Sequence, residues 1–114
     1  MTVELKNTPY VFLSYSHNDK DMIDKIYKTL SYMGFHCWID EKIRAMENFN
    51  SVIEEAIENC TVFLSFFSKS YVEKPYCQQE YDCATNNNKS KVVVCIDCYF
   101  IFSPHSVAQG FLCL

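Results

Sequence analysis

The sequence predicts an α/β fold, a doubly wound parallel sheet with helices on both faces. Three observations carry that prediction. Four β-rich runs alternate with segments of helical period, which implies right-handed crossovers and parallel pairing. The run Thr61-Val-Phe-Leu-Ser-Phe-Phe67 has almost no polar relief, as expected of a strand buried on both faces of a helix-covered sheet. That run breaks at Ser68-Lys69-Ser70-Tyr71 and, after a short linker, reaches Pro75-Tyr76-Cys77-Gln78-Gln79-Glu80. Ligands collect where the strands of such sheets end, so Glu80 is expected near the rim where chemistry occurs.

Residues 10–15 read as the first strand, followed by the turn-prone Ser16-His17-Asn18-Asp19. Asp19 or Asn18 caps a helix in which Met22, Ile23, Ile26, Tyr27, Leu30 and Met33 recur at helical spacing. Gly34 closes it where left-handed backbone is wanted. Residues 35–39 form the second strand, and a polar loop runs over residues 40–48. In the next helix Phe49, Val52, Ile53, Ala56 and Ile57 line one face, with Glu54, Glu55 and Glu58 opposite and Asn59 as the stop. After the third strand, residues 61–67, a helix over 75–84 starts with proline at a tolerated first-turn position. Asn86-Asn87-Asn88 ends it, and residues 91–97 are the fourth strand. Residues 98–114 show no helical period. A doubly wound sheet ordinarily continues with a helix, a strand and a helix, and the chain lacks room for all three. The expectation is a shortened or variant C-terminal edge that a partner covers.

At 114 residues this is one domain, or slightly less than one. Two glycines and three prolines exclude collagen-like and linker-like classes. A net charge of −4 with scattered basic residues argues against nucleic-acid partners, which require a basic stripe. Seven cysteines form no disulfide framework, and residues 1–9 are too polar for a signal peptide. Reduced thiols and a cytoplasmic location are therefore expected. No apolar stretch approaches the ~20 residues needed to span a bilayer, so no membrane insertion is expected. Cys95-x-x-Cys98 has no second pair to complete a zinc site and sits in a β-branched run. It reads as two buried strand cysteines. No metal and no cofactor are expected.

Four landmarks together resemble a Toll/interleukin-1 receptor (TIR) domain over residues 10–98, with 1–9 as an N-terminal extension and 99–114 as a variant or truncated C-terminal segment. They are Tyr10-Val-Phe-Leu-Ser-Tyr-Ser-His-Asn-Asp19; Gly34-Phe-His-Cys-Trp-Ile-Asp40, entering the long BB loop; Phe49 before the amphipathic helix; and Tyr71 through Tyr76-Cys77-x-x-Glu80. The resemblance implies a flavodoxin-like sheet of strand order 2-1-3-4, usually with a fifth strand. One departure is the absence of glycine in Ala45-Met46-Glu47-Asn48, where Glu47 takes the position of a family glycine.

Many TIR domains cleave the nicotinamide–ribose bond of NAD⁺, by hydrolysis or cyclisation, and the family's catalytic glutamate corresponds to Glu80. NAD⁺ would be substrate, not cofactor. The resemblance completes the pocket with Tyr15, Ser16 and His17 of the first-strand loop, Phe49 of the BB loop, and Tyr76. Trp38, Phe49 or Tyr76 would stack on a base, and Lys42 and Arg44 are the nearest partners for a pyrophosphate. Each has a structural alternative. Glu80 can be a solvated acid favoured by the helix dipole, His17 a plain loop histidine, Trp38 and Phe49 packing residues, and Lys42 and Arg44 a solvated face. The other functional reading is a non-catalytic adaptor that joins other TIR domains as an oligomer or filament through the BB-loop surface: Asp40, Glu41, Ile43, Ala45, Met46, Glu47 and Asn48. Glu80→Ala is expected to abolish nicotinamide release without changing thermal stability. A response-regulator reading fails, because no acidic cluster follows the first strand and no glycine-rich phosphate loop exists.

Overall fold

Strands with apolar side chains on both faces need helices on both sides, and this chain supplies them in a five-stranded parallel sheet of order β2-β1-β3-β4-β5. The computed structural model describes residues 8–39, 41–46, 48–96 and 111–113, with backbone alone at 41, 44 and 111–113. The elements are β1 (Val11–Ser14), a 3-10 turn (His17–Asp19), α1 (Lys20–Tyr32), β2 (Cys37–Trp38), α2 (Glu41–Ala45), α3 (Ser51–Glu58), β3 (Val62–Phe67), α4 (Lys69–Glu73), α5 (Pro75–Asn86), β4 (Ser90–Cys95) and β5 (Phe111–Cys113). The chain moves outward from β1 to β2, then returns to β3 and proceeds the other way. The topological switch point therefore lies between β1 and β3.

Alternation along the strands sorts the core into two layers. Phe12 and Phe63, paired across β1 and β3, pack with Trp38, Ile53, Ile57 and Ala84 beneath α3 and α5. Leu13, Tyr15, Cys37 and Phe66 point the other way and pack with Ile23 of α1. Phe12 is sandwiched between Trp38 and Phe63, with ring centroids 5.1 and 5.6 Å away.

The helix ends follow local chemistry. Gly34 takes φ 98 after α1, and the Phe35 N–H reaches the Leu30 carbonyl while the Gly34 N–H reaches that of Ser31. That is a Schellman closure. Within the three-asparagine run, Asn88 takes φ 55 and the same bond pattern closes α5, from Lys89 to Ala84 and from Asn88 to Thr85. The Asn50 side chain accepts from the backbone N–H groups of Val52 and Ile53 at 3.0 and 3.1 Å. Asn50→Ala therefore loses the cap of α3 and should lower stability by about 1 kcal/mol. Urea denaturation checks this, and an unchanged midpoint would show that the cap is dispensable.

The structure differs from the sequence expectation in four places. The stretch read as a polar loop contains α2, and the break after β3 contains α4. Each is five residues long, too short for a helical period to register. The second strand pairs over only Cys37 and Trp38, because as an edge strand it has a neighbour on one side. The apolar C-terminal run supplies β5, with Phe111, Leu112 and Cys113 paired to Val93, Val94 and Cys95.

Burial pushes the Tyr10 phenol from 10.0 up to about 12, with Cys60 and Glu55 adding to the effect. It pushes the Cys60 thiol from 9.0 up to about 11. Both groups hold their protons more tightly in the folded state, so the unfolded chain ionises first as pH rises. Stability should be undiminished below about pH 9 and fall from about 9 towards 12. Urea midpoints across that range measure the loss, and Tyr10→Phe should flatten its upper part.

Candidate functional site

Helical spacing turns Tyr76, Cys77, Glu80, Cys83 and Ala84 of α5 inward, and all five are buried. Glu80 thus lies in the layer between α5 and the sheet. The Ser14 hydroxyl, on the last residue of β1, donates to Glu80 Oε1 at 2.7 Å. The Tyr71 hydroxyl of α4 lies 2.7 Å from the same Ser14 oxygen. Ser14 has one proton and gives it to the carboxylate, so Tyr71 is the donor to Ser14. A relay from Tyr71 through Ser14 to Glu80 orients the acid at the C-terminal end of β1. The carboxylate stands at the expected end of the sheet but beneath the surface, with 0 % exposure. The solvated-acid alternative does not hold, and the expectation that Glu80→Ala leaves stability unchanged is revised.

Around this centre, four hydrogen bonds from Ser14's neighbours pin the turn after β1. The His17 N–H donates to the Tyr76 hydroxyl at 2.9 Å. The Ser16 and Ser70 hydroxyls meet at 2.5 Å, and the Asn18 side-chain amide donates to Ser70 at 3.0 Å. Ser68 donates to the Asp19 carboxylate at 2.6 Å and also caps α4 by accepting from the Tyr71 N–H. His17 Nδ1 is buried and, among the described residues, makes no hydrogen bond. An open cleft of about 500 Å³ runs between this turn and α4, lined by Asn18, Asp19, Ser68, Lys69, Ser70 and Lys74 among others. Its position at the switch point is where open α/β sheets take ligands.

The structure brings some of the expected residues together and separates others. Tyr76 and His17 meet directly, and Ser16 lies buried beside them. Phe49 is half-buried against Tyr71, Tyr76 and Cys77. Tyr15 is buried in the layer under α1. Trp38 is 4 % exposed, and its ring is stacked in the core on Phe12, so packing occupies it. Lys42 is exposed on α2, and Ile43 packs on the α3 side of the core. Ala45, Met46 and Asn48 are exposed. Asp40 and Glu47, and the side chains of Glu41 and Arg44, lie outside the described residues, as does Cys98. Cys95 is a buried strand cysteine that forms no disulfide. Sequence reasoning missed Ser14 and Ser70 and did not assign Tyr71 to the site. A serine inside an otherwise apolar strand was the available signal for Ser14. Among the described residues no helix is long and apolar enough to cross a membrane, and no group of three His, Cys, Asp or Glu is placed to hold a metal.

Comparison with known proteins gives this geometry a family. The fold superimposes on the TIR domains of the activated Roq1 resistosome, which directly recognises the pathogen effector XopQ, with a TM-score of 0.66 at 21% identity over 79% of this chain and 58% of that one. The TIR domain of the Toll-related receptor TRR-2 from Hydra magnipapillata matches with a TM-score of 0.63 at 15% identity over 90% and 82%. The CMP N-glycosidase BcmB of Clostridium botulinum matches with a TM-score of 0.58 at 18% identity over 92% and 88%. At these identities the likeness shows the fold. In sequence, the uncharacterized protein y4lF of Sinorhizobium fredii is 32% identical over 73 residues, 60% of this chain and 23% of that protein. The chain thus spans less than a quarter of that relative's length. The TIR domain family model matches residues 11–110, and this chain belongs to the TIR domain family.

Proposed function

We propose that this TIR domain self-associates and cleaves the nicotinamide–ribose bond of NAD⁺ in innate-immune or stress signalling in the cytoplasm, with Glu80 as its catalytic carboxylate. The observation that carries the reading is the acid itself, fully buried yet oriented by Ser14 at the ligand-binding end of the sheet. A buried carboxylate is costly to keep, and function is the usual compensation. The Clostridium botulinum neighbour, a CMP N-glycosidase, supports N-glycosidic cleavage as a chemistry this fold can host. The Roq1 resistosome supports assembly.

One carboxylate is enough for the reaction. Nicotinamide leaves as a neutral base and needs no protonation, unlike the leaving group of an ordinary glycoside, where two carboxyl groups share the work. The remaining task is to stabilise an oxocarbenium-like ribose. Glu80 does so by binding ribose hydroxyls and setting negative charge beside the developing cation. The Ser14 bond holds the carboxylate in place. A ribose reaches this carboxylate only when the side chains above it move. Phe49, packed on Tyr71 and Tyr76 and preceded by exposed Met46, is the residue we assign to that opening, with the contact made by a neighbouring TIR domain as its trigger. NAD⁺ is the substrate, and no cofactor is required.

The zero exposure of Glu80 favours a second reading, in which the Tyr71–Ser14–Glu80 chain only ties α4 and α5 to β1 and the domain is a non-catalytic TIR adaptor. Nicotinamide release from NAD⁺ at high protein concentration separates the two. Slow release is expected, rising more than linearly with protein concentration because assembly opens the site. Absence of release at every concentration overturns the enzyme reading and leaves the adaptor.

A further inference from the structure

We propose that a second copy of this chain docks head-to-tail by inserting the C-terminal end of α1 into the cleft between α3 and α5; this deepens the self-association half of the proposed function. Tyr32 is 93 % exposed, and Met33 and Phe35 beside it are also open to solvent. An aromatic ring held in water at a helix end is the residue type that anchors interfaces. Lys25 and Lys28 stand seven and four residues before Tyr32, on the same stripe of α1 and likewise exposed.

The complementary surface is on the opposite side of the sheet. A cleft of about 270 Å³ opens between α3 and α5, floored by Phe49 and Cys83 and rimmed by Glu54, Gln79 and Asp82. Its volume accommodates one aromatic side chain. The surrounding face of α3 adds Glu55, Glu58 and exposed Val52, with no basic residue on that helix. Among the described residues neither Lys25, Lys28, Glu54 nor Asp82 forms an ion pair, whereas Lys20 of the same helix pairs with Asp24.

An aromatic knob flanked by unpaired cations thus faces, on another copy, an apolar-floored socket flanked by unpaired carboxylates. The knob lies on the α1 face and the socket on the α3 and α5 face, so two copies cannot satisfy each other reciprocally. Each added copy presents a fresh knob or socket, and the contact propagates as an open chain. Phe49 forms part of the socket and also packs on Tyr71 and Tyr76. Filling the socket therefore presses on the residue that covers the candidate catalytic site.

The test uses two exposed-surface double variants of the whole chain. One lacks the knob (Lys28→Ala with Tyr32→Ala), and the other lacks the socket (Glu54→Lys with Asp82→Lys). Sedimentation is measured at low and high salt, with circular dichroism to confirm that both fold. The unaltered chain should gain mass with concentration, less so at high salt. Each double variant alone should associate about tenfold more weakly or worse. Their equimolar mixture should form a dimer and stop there, because only one functional knob and one functional socket remain per pair. If the unaltered chain assembles and the variants assemble equally well, this interface is wrong while self-association stands. A monomer at every concentration overturns both, whereas nicotinamide release tests the catalytic reading separately.

Discussion

Glu80→Gln is expected to eliminate nicotinamide release while leaving the domain folded. The amide matches the carboxylate in shape, and its carbonyl oxygen still accepts from Ser14, which donates at 2.7 Å in the present chain. What disappears is the negative charge that an oxocarbenium-like ribose requires. Glu80→Ala should eliminate release as well, but with a further loss of stability. Both variants are relieved of burying a charge, so the difference between them isolates packing and hydrogen bonding. Alanine leaves a void at a fully buried position and removes the acceptor for Ser14. It should be about 2–3 kcal/mol less stable than the Gln variant. Nicotinamide release together with denaturant midpoints for the three proteins is the measurement. Release by Glu80→Gln at the original rate would remove Glu80 from the chemistry. Equal stability of the two variants would mean that the Tyr71–Ser14–Glu80 chain holds nothing in place.

The second large effect concerns Trp38, which the family resemblance suggested as a stacking surface for a base. With 4 % exposure and its ring against Phe12, it belongs to the core under α3. Trp38→Ala should cost about 3–5 kcal/mol, a large share of the stability a domain of this size has. Trp38→Phe retains an aromatic ring, should cost under about 2 kcal/mol, and should leave the KM for NAD⁺ unchanged. A raised KM with normal stability in Trp38→Phe would return this residue to the substrate.

Much of the fold was legible in the chain. The apolar run at 61–67, the stripe through Ile53 and Ile57, the proline at the start of α5 and Gly34 behind α1 all act through near neighbours. Strand alternation and helix capping are set within a few residues, so the sequence displays them directly. The one-turn helices α2 and α4 stayed hidden because five residues do not span enough turns to reveal a period. The burial of Glu80 could have been read. Tyr76, Cys77, Cys83 and Ala84 trace an inward stripe at helical spacing, and Glu80 falls on it.

The sequence by itself determined the order of the first four strands and the three longer helices, the inward stripes of α1 and α3 and the TIR resemblance, because those depend on local periodicity and on motifs along the chain. Only the tertiary structure decided that Ser14, Tyr71 and Glu80 share one hydrogen-bonded line, that Trp38 is spent on the core, and that Tyr32 and the α3–α5 cleft face away from each other. These are meetings across 57 and 66 residues of chain. They are set by which crossover lands beside which strand, a choice that follows from closing all the apolar surfaces at once and that no short stretch of sequence records.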